Sequence, residues 1–350
     1  MEVEGSLAFA NWENEFGEAH KSRFLQHALC PYTSQLGKVL AQARVRHIAE
    51  PEEFDSRDDL ADSPTDLCNL QQNSLLELGP QIEFPAVPAV MEKLRSVLGS
   101  PDASFKEVAA VVALDPALAS RVLGLVNSAI FGLKREVTSV EQAVSFIGIN
   151  EIRNLTVTVS VVGAFESGEA AGFPFRKFWS HSITVAIASR IIAKTMKETG
   201  NSEVEPEEAF LAGLMHDIGR VLIGRNPELQ QRVNEKVSDL GISYQDAELS
   251  VLGFQHTDLG HRLLSEWGLS QSIQHAALHH HSPTGKGDYA AIVNAADAIS
   301  HGLGFYTHTD SLPRMVPEVW SFLGLKDCGL EIVAKRMLDQ FSDIEDVLLS

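Results

Sequence analysis

Phe210-Leu-Ala-Gly-Leu-Met-His-Asp-Ile-Gly-Arg220 is the stretch on which the reading of this chain turns. An apolar run at helical spacing ends on an adjacent imidazole and carboxylate, His216 and Asp217. Alone the dipeptide is weak, because about one such pair is expected by chance in a chain this rich in histidine. Its company gives it weight. His181 lies upstream in an apolar segment; His256, the triplet His279-His280-His281 and Asp297 follow downstream. Imidazoles mixed with carboxylates suit one or two divalent ions. Helices of a bundle can turn such ligands inward onto a metal pair. Asp217, directly after His216, is placed to bridge two ions, and water bound there would be acid enough to attack phosphorus.

Each residue also has an ordinary reading. His181 beside Trp179 and Ile183 can be a satisfied core residue. His216 near a helix C-terminus can be a dipole partner. His256 and Asp258 can simply open a helix, and His279 to His281 can be a solvated helix end. Asp297 is the hardest to explain this way. It sits among alanines with Ile292, Val293 and Ile299, and a carboxylate on an apolar helix is costly without a partner. The ordered series is harder to dismiss than any member.

Composition narrows the class. The 350 residues are 44% hydrophobic and 21% charged, as in a globular protein of one large or two ordinary domains. The net charge of −19 opposes nonspecific attachment to nucleic acid or anionic membrane. The acidic start Met-Glu-Val-Glu-Gly lacks a signal-peptide core, and no apolar run is long enough for a transmembrane helix. Cys30, Cys68 and Cys328 read as thiols of a reducing compartment. The expected location is cytoplasmic, without membrane insertion.

Four regions are expected. Residues 1–48 read as an N-terminal helical extension, and 49–79 as an acidic linker. Residues 80–166 form short helices with clear punctuation. Ser104-Phe-Lys-Glu107 and Thr138-Ser-Val-Glu141 read as capping boxes, Asp115-Pro116 as a helix start, and Gly99, Gly132 and Gly148 as stops. The β-branched run Leu155-Thr-Val-Thr-Val continues from Asn150-Glu-Ile-Arg and reads as helix. Residues 174–305 carry the histidines on five helices, the second running from Pro206 to Gly219 with His216-Asp217 in its last turn. Residues 306–350 make a C-terminal helical tail. The fold class is all-α.

The residues from about 80 to 305 resemble the HDOD domain, a bacterial relative of the HD metal-dependent phosphohydrolases. In the first half the resemblance rests on Phe84-Pro-Ala-Val-Pro88, Leu114-Asp-Pro-Ala-Leu118, Val126-Asn-Ser-Ala-Ile-Phe-Gly132, Ser139-Val-Glu-Gln-Ala-Val144 and Ile147-Gly-Ile-Asn-Glu-Ile-Arg-Asn-Leu155. In the second it rests on Phe178-Trp-Ser-His181, Glu208 to Gly219, His256-Thr-Asp-Leu-Gly260, Glu266-Trp-Gly-Leu269, His280-His-Ser-Pro283 and Asn294-Ala-Ala-Asp297. It implies two packed helical lobes, the second HD-like, and a role as an output or regulatory module in bacterial signalling. By position His181, His216, Asp217 and Asp297 match the HD ligand pattern. His256 and His280, with His281 as an alternative, look like the extra histidines of the related HD-GYP phosphodiesterases.

Departures matter too. Many active HD enzymes read His-Asp-Ile-Gly-Lys, and Arg220 stands here instead; if the chain were active, Asp217 would be catalytic with Arg220 as the phosphate contact. Ser282 replaces the acidic residue of HD-GYP enzymes, and Pro283-Thr-Gly-Lys-Gly follows in place of glycine-tyrosine-proline. The resulting expectation is a regulatory protein rather than an enzyme. It would act on signalling proteins or a small phosphorylated ligand, with one or two divalent metals (Fe, Mn, Mg or Zn) at His181, His216, Asp217, His256, His280 and Asp297. The alternative is an active phosphohydrolase on a nucleotide or other phosphoester. A DNA-binding regulator is a third reading, with Arg121, Lys134 and Arg135 too sparse a basic surface to favour it.

Overall fold

A computed structural model of the chain describes residues 82–99, 104–166, 173–200, 204–283, 288–307 and 328–349, with Val319 and Leu323. The expected N-terminal extension (1–48) and acidic linker (49–79) lie outside the described residues. Every regular element among the described residues is a helix, as the all-α reading requires.

The first group is α1 (Ala89–Leu98), α2 (Phe105–Ala113), α3 (Pro116–Asn127), α4 (Val140–Ile147) and α5 (Ile149–Glu166). Their starts are written in the sequence. Ser104 accepts from the Glu107 N–H while the Glu107 carboxylate takes the Ser104 N–H, a complete capping box. Asp115 accepts from the N–H groups of Ala117 and Leu118 ahead of Pro116. The second expected capping box is not formed, and the cap lies one residue on from its expected place. Ser139, not Thr138, is the N-cap, and its third helical residue is Gln142, which accepts from the Thr138 N–H. Gly132 is not a helix stop either, since α3 ends at Asn127 and Ser128 caps it. Gly132 instead takes a left-handed conformation (φ 57°) in the following turn. That turn is pinned by Asn127, which pairs with both the N–H and the carbonyl of Val137. The β-branched run is helical within α5, where Val157, Val159, Val161 and Val162 are buried.

The second group is built on α6 (Phe175–Glu198), which is buried on nearly every face from Phe178 to Ala193. A helix apolar all round belongs at the centre of a fold. Around it stand α7 (Pro206–Met215), α13 (Tyr289–Gly302) and α14 (Cys328–Leu348). The remaining helices are α8 (Ile218–Gly224), α9 (Pro227–Leu240), α10 (Tyr244–Leu252), α11 (His256–Glu266) and α12 (Gln271–His279). Arg190 of α6 joins the two groups: it donates to the Ile130 carbonyl, lies over the Phe131 ring and pairs with Glu207 of α7 at 2.7 Å.

The helix expected over 206–219 is two helices. α7 stops at Met215, and Asp217 leaves the helical basin at φ −102°, ψ 10° before α8 starts anew. The two residues of the dipeptide thus sit on a break between helices, not in a last turn. α9 and α10, outside the five expected helices, start at caps that are legible in retrospect: Asn226 before Pro227, and Ser243 with Asp246.

No single helix among the described residues is long and apolar enough to cross a membrane.

Candidate metal centre

The six residues singled out from sequence come together. Asp217 stands in the middle, with one carboxylate oxygen 3.0 Å from His256 Nε2 and 3.4 Å from His280 Nε2. Its other oxygen lies 3.5 Å from His216 Nε2 and 4.0 Å from His181 Nε2. His181 Nε2 is also 3.3 Å from Asp297 Oδ1. The donors come from α6, the α7–α8 break, α11, the end of α12 and α13. All six side chains are buried, none of the residues more than 4% exposed.

Small residues bring these helices close enough. A Cβ on Gly213 would meet Ala186 Cα and the Val185 carbonyl at 2.9 Å, so this glycine lets α7 lie against α6. A Cβ on Gly219 would run into the His256 carbonyl and stand 2.8 Å from the Gly260 N–H nitrogen. The glycine two residues after Asp217 therefore lets α8 meet the start of α11, which brings His256 to Asp217.

The four central histidines share one orientation. Each turns Nδ1 to an acceptor: His181 to the Phe305 carbonyl (3.0 Å), His216 to that of Gly213 (2.7 Å), His280 to that of Ala277 (3.0 Å), and His256 to the Glu248 carboxylate (2.6 Å). An acceptor at Nδ1 holds the ring proton there and leaves Nε2 as a lone pair. The Nε2 atoms then face the centre and each other. His181 and His216 are 3.3 Å apart at Nε2, and His256 Nε2 is 3.1 Å from His281 Nε2. Lone pairs and carboxylate oxygens at these separations repel unless a proton or a metal cation lies between them. Consistently, Asp217 Oδ1, His280 Nε2 and Asp297 Oδ1 are buried with no aligned hydrogen-bond partner among the described residues.

The electrostatics point the same way. Burial drives the His181 pKa down to about 3, against the pull of Asp297 and Asp217. Burial also lowers those of His216 and His281, so these rings are neutral ligands at neutral pH. Burial would raise the carboxyls, but in Asp217 the attraction of Arg220, His216 and His256 outweighs it, and in Asp297 that of His301 does. His256 is the exception. Burial and Arg220 work against its charged form, yet Glu248 and Asp217 on either side raise its pKa. Three buried carboxylates, Asp217, Glu248 and Asp297, face one partly buried guanidinium, that of Arg220. The donor set fits a divalent cation, and the cluster can hold one.

Sequence reading missed two contributors. Glu248 of α10 accepts from both Nδ1 and the backbone N–H of His256 (2.6 and 2.9 Å). Its signal was the buried stripe Tyr244, Glu248, Leu252 at helical spacing. His301, one turn after Asp297 on α13, places Nδ1 2.9 Å from Asp297 Oδ1. Arg220, expected to touch a phosphate if the chain were active, is turned to Asp217 instead, Nε to Oδ2 2.8 Å, with its guanidinium over Tyr244.

Glu248→Gln keeps the volume but weakens the acceptor that orients His256. Metal affinity should fall by about 10- to 100-fold with the fold intact, as for other outer carboxylates of metal-bound histidines. Competition against a chromogenic chelator reads it; unchanged affinity would remove Glu248 from the centre.

The model of the HDOD domain matches residues 84–283, more than half of the chain. The chain belongs to the HDOD family. Among solved structures, a protein from Shewanella amazonensis SB2B provisionally named a phosphohydrolase is 27% identical, with a TM-score of 0.62 over 79% of this chain and 98% of that one. A second, from Geobacter sulfurreducens and described as an HDOD domain protein of unknown function, is also 27% identical, with a TM-score of 0.59 over 80% and 94%. A curated uncharacterised protein of Treponema pallidum (strain Nichols) is 22% identical over 66% of this chain; the aligned part spans 45% of that protein. The HDOD match ends at Pro283, so Asp297, His301 and α14 lie beyond it.

Proposed function

We propose that this HDOD protein is a signalling module whose second helical group is organised around a divalent metal pair, bridged by Asp217. The observation that carries the reading is the convergence of four Nε2 atoms on the Asp217 carboxylate, each ring held by an acceptor at the opposite nitrogen. One ion would take His181, His216, Asp217 and Asp297; the other Asp217, His256, His280 and His281. Fe and Mn suit this mixture of imidazole and carboxylate best, Zn and Mg less well. When bound, such a pair supplies an acidified water and Lewis acidity toward a phosphoester.

Regulation is favoured over turnover because the groups that would hold a substrate are committed elsewhere. Arg220 is neutralised by Asp217 and lies beside Glu248. Hydrolysis needs the phosphate held in line as well as a metal. The partners of such a module would be signalling proteins or a small phosphorylated ligand.

The shared carboxylate is also what a two-metal phosphohydrolase requires, and this is the second reading. Protein loaded with Mn or Fe and assayed against cyclic dinucleotides and ordinary nucleotides separates the two. Retained metal without turnover is expected. Robust hydrolysis that disappears in Asp217→Ala would overturn the regulatory reading in favour of the enzyme.

A further inference from the structure

The acceptor that fixes His181 does not belong to the ligand-bearing helices. It is the carbonyl of Phe305, in the segment leaving α13. Phe305 is itself held by α14. Its ring packs edge-on against Phe341, with centroids 4.8 Å apart and planes at 63°. The same helix grips α6 next to His181: Ser180 donates to Glu345 at 2.5 Å, and Arg176 lies 3.8 Å from that carboxylate. It also meets α13 where Met337 touches Ser300, one turn from Asp297. At its far end it reaches the first helical group, with Val347 against Gly124 of α3, where an added Cβ would stand 3.0 Å away.

We infer that α14 is a positioning element of the metal centre, acting through the Phe341–Phe305 contact to hold the His181 ring proton on Nδ1 and so aim Nε2 at the metal. The inference rests on the metal reading for its affinity arm, but not for its tautomer arm. An imidazole with no fixed acceptor divides its proton between two nitrogens and turns freely, and both reduce its strength as a ligand. α14 is the structural link by which a change at α3 reaches His181. A helix outside the family's matched region thereby orients a ligand, His181, inside it.

The test compares Phe341→Ala, Phe341→Leu and, as a control for lost stability alone, Val112→Ala in the first helical group. Val112 is fully buried and distant in sequence from every ligand. Two quantities are read in the full chain. One is affinity for Mn by competition titration. The other is the His181 tautomer, from nitrogen shifts of the metal-free protein assigned with His181→Gln. Phe341→Ala should weaken Mn binding by about tenfold or more and move His181 from Nδ1–H toward a tautomer mixture. Phe341→Leu should restore most of both, and Val112→Ala should change neither. Wild-type affinity with the wild-type tautomer in Phe341→Ala would overturn the inference, as would an equal loss in Val112→Ala. Were wild type to bind no Mn, the metal reading would fall, and the tautomer comparison alone would decide the role of α14.

Discussion

Asp217→Ala should empty the centre of metal and destabilise the fold together. Its carboxylate lies within about 4 Å of all four central histidines. Removing it leaves each half of the donor set without the shared ligand, so metal content by mass spectrometry should drop to background. The loss also strips Arg220 of its 2.8 Å partner in a site where the guanidinium is almost fully enclosed. Breaking one side of a buried pair costs about 3 kcal/mol or more. Asp217→Asn separates the two effects. The amide keeps the volume, so most of the stability should survive in urea unfolding while the metal is still lost. Full metal occupancy in Asp217→Ala would show that the carboxylate is not the bridge.

Gly219→Ala should be as damaging, by a different route. The residue supplies no ligand, and alanine is the better helix former. Yet the methyl has nowhere to go, since the neighbours are the backbone of His256 and Gly260, not flexible side chains. α8 and α11 must separate, which carries His256 away from Asp217. A cost of about 3 kcal/mol or more is expected, with metal affinity falling in the same variant. Thermal unfolding and chelator competition on one preparation test both. A stable variant with normal metal binding would mean that the two helices are not in tight backbone contact.

These two residues show what the sequence discloses and what it conceals. His216-Asp217 was visible through its company of histidines upstream and downstream, and Asp297 because a lone carboxylate among alanines demands a partner. The capped starts at Ser104 and Asp115 were legible because capping is local chemistry between residues two or three apart. The break after Met215 was not. No glycine or proline marks it, and Asp217 is bent out of the helix by a site assembled from distant segments. Glu248 was missed for the same reason. Its role exists only because α10 delivers it to a histidine eight residues away, and a glutamate in a polar-looking segment reads as surface. His301 lay within reach of inference, one helical turn from Asp297, but an imidazole near a helix end has an ordinary use as a dipole partner. The C-terminal helix carries no family motif, and its contribution to His181 passes through a backbone carbonyl, which sequence does not display.

The central claim is that the Asp217 carboxylate joins two sets of histidines around divalent metal. Anomalous diffraction from crystals of the protein loaded with Mn tests it most directly. Two peaks are expected within about 2.0–2.3 Å of their ligand atoms, one among His181, His216, Asp217 and Asp297 and the other among Asp217, His256, His280 and His281, with one Asp217 oxygen on each. Crystals that bind Mn elsewhere, or not at all, while the histidine Nε2 atoms stay within hydrogen-bonding distance of Asp217, would contradict it.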